Sequence, residues 1–188
     1  MPDMNVEGLK VAILATDGFE EAELTKPRDA LRDAGAQTAI VSPKSGTIRA
    51  WVTQDWGDEI DVDETLDEAD PEDYDALVLP GGVINADRLR MEPSAVAFIK
   101  AMVDAGKPVG VICHGPWALI EAGALRGHRM TSWPSLKTDI QNAGAQWVDE
   151  EVVVDGAMVS SRKPDDLPAF NREITRLFAQ ARAPAARL

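Results

Sequence analysis

The chain has 188 residues, and its 45% hydrophobic and 27% charged content is ordinary for a folded globular protein. A formal net charge of −13 argues against non-specific binding to nucleic acid or to an anionic membrane surface. A single cysteine excludes an internal disulfide, and with only two histidines it leaves no basis for a Cys/His zinc site, so no metal is expected. The length predicts one domain over 1–188, with 1–8 and 183–188 as flexible termini. MPDMNVEG lacks the apolar segment of a signal peptide, and no apolar run approaches the roughly 18 residues that span a bilayer. A cytoplasmic protein without a membrane partner is therefore expected, and its lone thiol fits a reducing compartment. The only basic cluster is the RAPAARL tail.

Leu9 to Thr16 is a near-continuous apolar run of strand length, the pattern of a parallel strand covered on both faces. Asp17-Gly18 ends it. Glu20 to Leu24 leads into a helix with Leu24, Pro27, Leu31 and Ala34 on one side, capped by Gly35. Gln37 to Ser42 reads as the second strand. Thr47 to Asp63 mixes β-formers with Trp51, Trp56 and Gly57 and reads as a small β excursion and loop. Two tryptophans there point either to a subunit interface or to local packing. Asp63 to Tyr74 is acidic and holds a short helix at most.

Ala76 to Leu79 is a third buried strand, broken by Pro80-Gly81-Gly82. Paired glycines after a strand predict close approach of the backbone to a neighbour or ligand. A helical turn follows at Asp87 to Met91, then a helix from Pro93 to Ala105 ended by Gly106, and a strand at Val109 to Ile112. Beyond the Pro116 helix, which ends at Gly123, come a strand at Arg129 to Ser132 and a helix from Ser135 to Ala143. A hairpin then joins Trp147–Val154 to Met158–Ser161 through Asp155-Gly156. The last helix runs from Pro164 to Ala181, with Phe170, Ile174, Leu177 and Phe178 facing the core. Alternating strands and helices predict a three-layer α/β/α sandwich on a mostly parallel sheet, with the site beyond the carboxyl ends of the strands.

The sequence centres on VGVICHGPWAL, Val109 to Leu119. It reads as strand, sharp turn and helix, with Cys113 on the turn. Pro116 suits a first helical turn, where its missing N–H has no partner, and Gly115 permits a tight bend beside the thiol. Such a nucleophile elbow resembles G-x-S-x-G, except that Val111 stands two residues before the nucleophile. Amides at the start of the Pro116 helix are expected to favour the thiolate.

ICHGPWALIEAGALRGHRM and its continuation to VSSRKPDDLPAF, with FEEAEL (Phe19 to Leu24), LVLPGG (Leu77 to Gly82) and DRLR (Asp87 to Arg90), resemble the PfpI subgroup of the PfpI/ThiJ superfamily. The resemblance runs from about Lys10 to the final helix and implies the class I glutamine amidotransferase-like fold. Members have been described as intracellular cysteine peptidases, as glyoxalase- or deglycase-type enzymes acting on reactive aldehydes and their protein adducts, and as stress proteins. It implies a cysteine hydrolase without a cofactor, with a small aldehyde, a peptide or a glycated protein as substrate. It also implies a homodimer or higher homo-oligomer.

Carried over by the resemblance, Cys113 is the nucleophile, and Glu23 is the carboxyl group touching its sulfur. That carboxyl should be protonated, since two adjacent buried anions repel. His114 is the neighbouring histidine, although its place directly after Cys113 is awkward for bonding the sulfur of its own subunit. Asp87 stands where relatives place an acidic residue that orients a histidine of an adjacent subunit, after a loop from Val83 to Ala86 about one residue longer than in some peptidase members. Gly81 and Gly82, with the His114 amide, would face an oxyanion. His128 is the only other histidine and reads as a loop residue. A glutamine amidotransferase would use a later His-x-Glu, and His128 is followed by Arg129 and Met130. The alternative to an enzyme is a non-catalytic oxidative-stress sensor or chaperone-like protein using an oxidisable Cys113.

Overall fold

The computed structural model describes residues 4–182, without the side chain of Arg182. The first half of the chain forms β1 (Lys10–Leu14), β2 (Phe19–Glu20), α1 (Glu21–Asp33), β3 (Gln37–Ser42), β4 (Thr47–Val52), β5 (Asp55–Asp61), β6 (Glu64–Thr65), β7 (Ala76–Leu79) and α2 (Val83–Met91). The second half forms α3 (Pro93–Asp104), β8 (Val109–Ile112), α4 (Pro116–Glu121), β9 (Arg129–Met130), α5 (Lys137–Asn142), β10 (Gln146–Trp147), β11 (Val152–Asp155), β12 (Met158–Ser161) and α6 (Leu167–Arg182).

Seven strands form the central sheet in the order β11-β12-β8-β7-β1-β3-β6. All its pairings are parallel except that of the edge strand β11 with β12. The apolar runs are continuous because both faces of the sheet are covered. Ala12 and Leu14 of β1 join Leu77 and Leu79 of β7 under α2, α3 and α4, where Leu89, Phe98, Ile99, Met102 and Leu119 pack. Val11 and Ile13 alternate to the other face with Ala76 and Val78, under Leu24 and Leu31 of α1 and Phe170, Ile174 and Phe178 of α6. The expected three-layer α/β sandwich is the observed one, and the loops after β1, β7 and β8 meet at the carboxyl edge of the sheet.

Several elements differ from the sequence reading. Thr47 to Asp63, expected as a small β excursion and loop, is β almost throughout, an ordered hairpin of two strands. β4 and β5 pair antiparallel, and β4 also pairs with β2, forming a second, three-stranded sheet. Trp51 and Trp56 face each other across this hairpin, edge to face with centroids 5.4 Å apart, so local packing accounts for part of their surface. Helix α2 starts at Val83, four residues before the expected Asp87, because Gly82 at φ 90° turns the chain directly from β7 into it. The expected strand Trp147–Val154 divides in two: Trp147 pairs with Met130 of β9, and only Val152–Asp155 joins the hairpin. The charged stretch Asp149-Glu150-Glu151 lies between them, and Asp149 and Glu150 pair instead with Arg162 and Arg129.

Of the termini expected to be flexible, 183–188 and 1–3 lie outside the described residues. Val6 is fully buried, and its N–H donates to the carbonyl of Ala34, so this part of 4–8 is anchored. Among the described residues, no helix is long and apolar enough to cross a membrane.

Candidate active site

Strand β8 delivers Cys113 to the carboxyl edge of the sheet in a left-handed conformation, φ 61°. A residue with a Cβ seldom takes that conformation, and its presence marks a turn held in place by its surroundings. The Cys113 N–H donates to the Ser161 carbonyl of β12 at 3.1 Å, and its own carbonyl accepts from the Trp133 N–H at 3.0 Å. Gly115 serves a different purpose from the one expected. Its φ of −50° is open to any residue, but a Cβ there would meet the Leu79 carbonyl oxygen at 2.8 Å. Glycine is required at 115 for space, with β7 pressed against the elbow.

Glu23, on the first turn of α1, is fully buried beside the thiol. Its Oε2 accepts the Gly81 N–H at 2.8 Å, and its carboxyl group is within hydrogen-bonding reach of Cys113. Oε1 is buried without a nitrogen or oxygen partner, a setting that accommodates a carboxyl hydrogen better than a negative charge. Burial first, then the charge of Glu20, pushes Glu23 up to about 8, so it is protonated at neutral pH.

The thiol does not behave as the sequence reading expects. Burial raises its pKa, and the negative charge of an ionised Glu23 raises it further, while amide hydrogen bonds from Gly82 and His114 act in the opposite sense and are outweighed. Helix α4, with six residues, is short, and the desolvation of Cys113 exceeds what its terminus offers. The resting sulfur is a thiol.

His114 is also not where chain order places it in the expectation. The left-handed turn at Cys113 folds the imidazole back, so Nδ1 lies 3.2 Å from Sγ within the same chain. The tautomer decides which of the two supplies the hydrogen. Burial lowers the His114 pKa to about 4, so the ring is neutral near pH 7. Trp133 stacks over it at 6.1 Å between centroids, and Trp117 meets it edge-on at 5.2 Å.

The expected oxyanion donors divide. The amide of Gly81 is committed to Glu23 and has no hydrogen to spare for a substrate oxygen, whereas those of Gly82 and His114 face the sulfur. Gly82 is held at φ 90°, and a Cβ there would meet the Gly18 carbonyl oxygen at 2.3 Å and the Glu20 nitrogen at 2.7 Å, the close backbone approach that paired glycines predict. Asp87 lies apart from the thiol, on α2, where it borders a separate shallow depression with Thr16, Arg88 and Met91. His128 is paired with Asp155 at 3.0 Å, away from Cys113.

A cavity of about 440 Å³ opens over Cys113, His114 and Glu23. Its walls include Trp51 and Thr53 from the β4–β5 hairpin, Glu20, Ile84 and Trp133. Sequence reading missed most of this wall, because hairpin and elbow are distant in the chain. It also missed Asn85, fully buried at the start of α2. The Asn85 amide donates to the carbonyls of Pro80 and Gly81, and its oxygen accepts the Thr16 N–H at 2.8 Å, tying the β1 loop to the glycine turn. A lone amide among apolar residues, three positions after Gly81-Gly82, was the available signal.

A parallel sheet presenting one cysteine on a left-handed turn, with a buried carboxyl and a histidine at its sulfur, defines the nucleophile-elbow class of α/β proteins. The chain belongs to the DJ-1/PfpI family, whose profile matches residues 9–177. It is 47% identical over 170 residues to a deglycase of Pyrococcus abyssi, covering 90% of this chain and 99% of the relative. It is 44% identical over 171 residues to Protein/nucleic acid deglycase 2 of Escherichia coli, covering 90% and 97%. General stress protein 18 of Bacillus subtilis is 42% identical over 168 residues, covering 88% and 95%. Among solved structures, a two-domain Anabaena variabilis protein with DJ-1/ThiJ/PfpI-like and ferritin-like domains superposes with a TM-score of 0.85 at 33% identity, covering 94% of this chain and 50% of that one.

Proposed function

We propose that this protein is a cytoplasmic, cofactor-independent cysteine hydrolase of the deglycase type, which removes small aldehyde adducts from amino groups or thiols. The observation that carries the reading is the Cys113–His114–Glu23 cluster: a sulfur 3.2 Å from a neutral imidazole nitrogen, against a buried carboxyl group, at the floor of a closed-in cavity. The names of the Pyrococcus and Escherichia relatives support adducts rather than peptides as the substrate. On this reading the whole chain acts as one domain, and Cys113 is the nucleophile.

The resting site holds a thiol, a neutral His114 and a protonated Glu23. As Sγ forms its bond to the substrate carbonyl carbon, its hydrogen passes to His114 Nδ1 and the carbonyl oxygen takes up the electron pair. On this reading the Gly82 and His114 amides, which face the sulfur in the resting site, serve the oxygen, and the Glu23 carboxyl supplies a proton to it. The carbinol beside that carbon then collapses to an aldehyde as its bond to the amine nitrogen breaks: the nitrogen takes the proton from His114 and leaves as the free amine, the carbinol proton returns to Glu23, and reversal of the addition restores the thiol and frees the dicarbonyl, which water takes up as its hydrate. Asp87 acts, on this reading, from a neighbouring copy in a homo-oligomer. Charge repulsion opposes sequence-independent nucleic-acid binding, but it leaves open an adduct presented singly to the cavity. The sensor alternative needs a thiolate at neutral pH, and the surroundings of Cys113 work against one.

The test is a screen of methylglyoxal, methylglyoxal-treated N-acetylated amino acids and peptidase substrates with wild-type protein and Cys113→Ser. Adduct removal by the wild type and none by the variant is expected. Turnover of peptides alone, or equal turnover by the serine variant, would overturn the reading. Light scattering on the wild type tests the oligomer, and a monomer at micromolar concentration removes the role given to Asp87.

A further inference from the structure

Apart from Cys113, His114 and Glu23, one ionisable side chain lines the cavity. His114 is neutral and Glu23 is protonated, and no lysine or arginine is among the residues lining it. The remaining ionisable group is Glu20. Its carboxylate is half-buried, accepts the backbone N–H of Thr53 and forms no ion pair among the described residues. Thr53 is itself held at φ 55° at the tip of the β4–β5 hairpin, and Trp51 Nε1 donates to its carbonyl at 3.2 Å. The hairpin therefore fixes a carboxylate and an indole ring together on one wall, and Trp133 adds a second indole.

A negative charge taken partly out of water without a counter-ion is costly, and a cation brought into the cavity removes that cost. Flat faces of tryptophan attract the same kind of group, guanidinium more than ammonium, because guanidinium is planar and weakly hydrated. We propose that Glu20, with Trp51 and Trp133, selects substrates whose adduct is carried on a cation, the arginine side chain foremost, over those on neutral or anionic groups. This rests on the deglycase reading for the reaction, but the selection itself is a property of the cavity. Glu20 is a specificity-determining residue and takes no part in bond making.

The selection separates adducts by charge. An adduct added across a guanidinium nitrogen keeps the positive charge beside the reacting carbon, whereas one on a cysteine sulfur is neutral. An aldehyde bearing a carboxylate would meet Glu20 as a like charge.

The experiment uses N-acetyl-arginine amide and N-acetyl-citrulline amide, which have nearly the same shape and differ in charge. Binding to the wild-type protein is measured by calorimetry at low and high salt. Arginine amide is expected to bind about tenfold more tightly, equivalent to about 1.4 kcal/mol, with the preference shrinking in salt and vanishing in Glu20→Gln. Equal affinities, or no detectable arginine binding at millimolar concentration, would overturn the proposal. Placing each residue within a capped, glycine-flanked peptide distinguishes a free amino acid from a protein side chain as the source, by which format binds more tightly. The proposal requires the arginine preference in that tighter format.

A second arm compares kcat/KM for methylglyoxal adducts of arginine and of cysteine. The arginine-to-cysteine ratio should fall about tenfold in Glu20→Gln. Glu20 also acts on Glu23 through its charge, but a change made only through Glu23 alters both adducts alike and leaves the ratio in place. Absence of turnover on every adduct would refute the deglycase reading, while the arginine–citrulline comparison still decides the cavity's preference.

Discussion

Oε2 of Glu23 occupies the space that a Cβ on residue 81 would need: it accepts the Gly81 N–H at 2.8 Å, and a Cβ built on Gly81 would lie 2.2 Å from it. The glycine of the β7 turn and the glutamate of the first helix thus specify each other. The same hypothetical Cβ would also come within 2.6 Å of the Cys113 Cβ. Three segments far apart in the chain converge at one point with no room for a methyl group.

Gly81→Ala should consequently dismantle the site more than the fold. The clash is with a buried, backbone-anchored carboxyl and not with a flexible surface chain, so Glu23 must leave its place. We expect loss of at least about 100-fold in kcat/KM and destabilisation of about 1–3 kcal/mol, the usual cost of overpacking. Denaturant melts and steady-state kinetics on the same preparation test this. A variant with near-normal activity would show that Glu23 need not sit where it does.

Two buried groups give opposite pH dependences to stability. Glu23, raised from 4.5 to about 8, is protonated in the fold where the unfolded chain has released its proton, so it lowers stability as pH rises through that window. His114, lowered from 6.5 to about 4, does the reverse, and its contribution is complete by pH 6.5. The two oppose each other up to pH 6.5, and Glu23 acts alone above it. The wild type should lose about 1.4 kcal/mol per pH unit between 6.5 and about 8, a fall absent in Glu23→Gln. Urea denaturation at half-unit pH steps measures the difference, and parallel profiles would show that Glu23 is ionised in the folded state.

Cys113 should be slow to alkylate. Burial holds the thiol above the ordinary cysteine range, and deprotonation of Glu23 near pH 8 raises it further. Iodoacetamide at pH 7 should react more slowly than with a free thiol titrating near ~8.5, and above pH 8, where Glu23 is ionised, Glu23→Gln should react faster than the wild type. Intact mass against time gives both rates. Fast alkylation of the wild type would restore the thiolate that the elbow motif suggests.

The left-handed turn at Cys113, φ 61°, offers a test of backbone strain free of chemistry. Cys113→Ala and Cys113→Gly both remove the sulfur, but glycine alone takes this conformation without penalty. Glycine should be the more stable of the two by about 1 kcal/mol, despite its greater freedom when unfolded. Thermal melts would decide, and an alanine variant as stable as the glycine one would mean that the turn is not strained.

Much of the architecture was legible in the chain. Continuous apolar runs such as Ala76 to Leu79 and Val109 to Ile112 are what two covered sheet faces demand, and Gln37–Ser42, Ala76–Leu79 and Met158–Ser161 begin and end where Gly, Pro and charge place them. The elbow was legible too, because Gly115-Pro116 after a strand is a local signal. Residue roles were less so. Thr47 to Asp63 reads as no more than a small β excursion and loop because its strands are largely solvent-exposed and polar, lacking a clean alternation. They are held by pairing with Phe19–Glu20, a partner some thirty residues earlier.

Composition, apolar period and turn chemistry are local quantities, and by themselves they determined the class of fold, the edge of the sheet that carries the candidate site and the place of Cys113 on the turn after β8. The protonation states were decided only by tertiary structure. Free amides at a helix start favour a thiolate when considered alone. Once the chain closes, Cys113 and Glu23 lose their water and each other's tolerance for charge, and desolvation outweighs the amides. Packing likewise turned Gly81 from an oxyanion donor into the anchor of Glu23, bent His114 back onto its own neighbour's sulfur, and brought Glu20 from a helix start to the wall of the cavity. Burial and contact between residues far apart in the chain set each of these outcomes, and neither quantity is a property of the sequence within any short window.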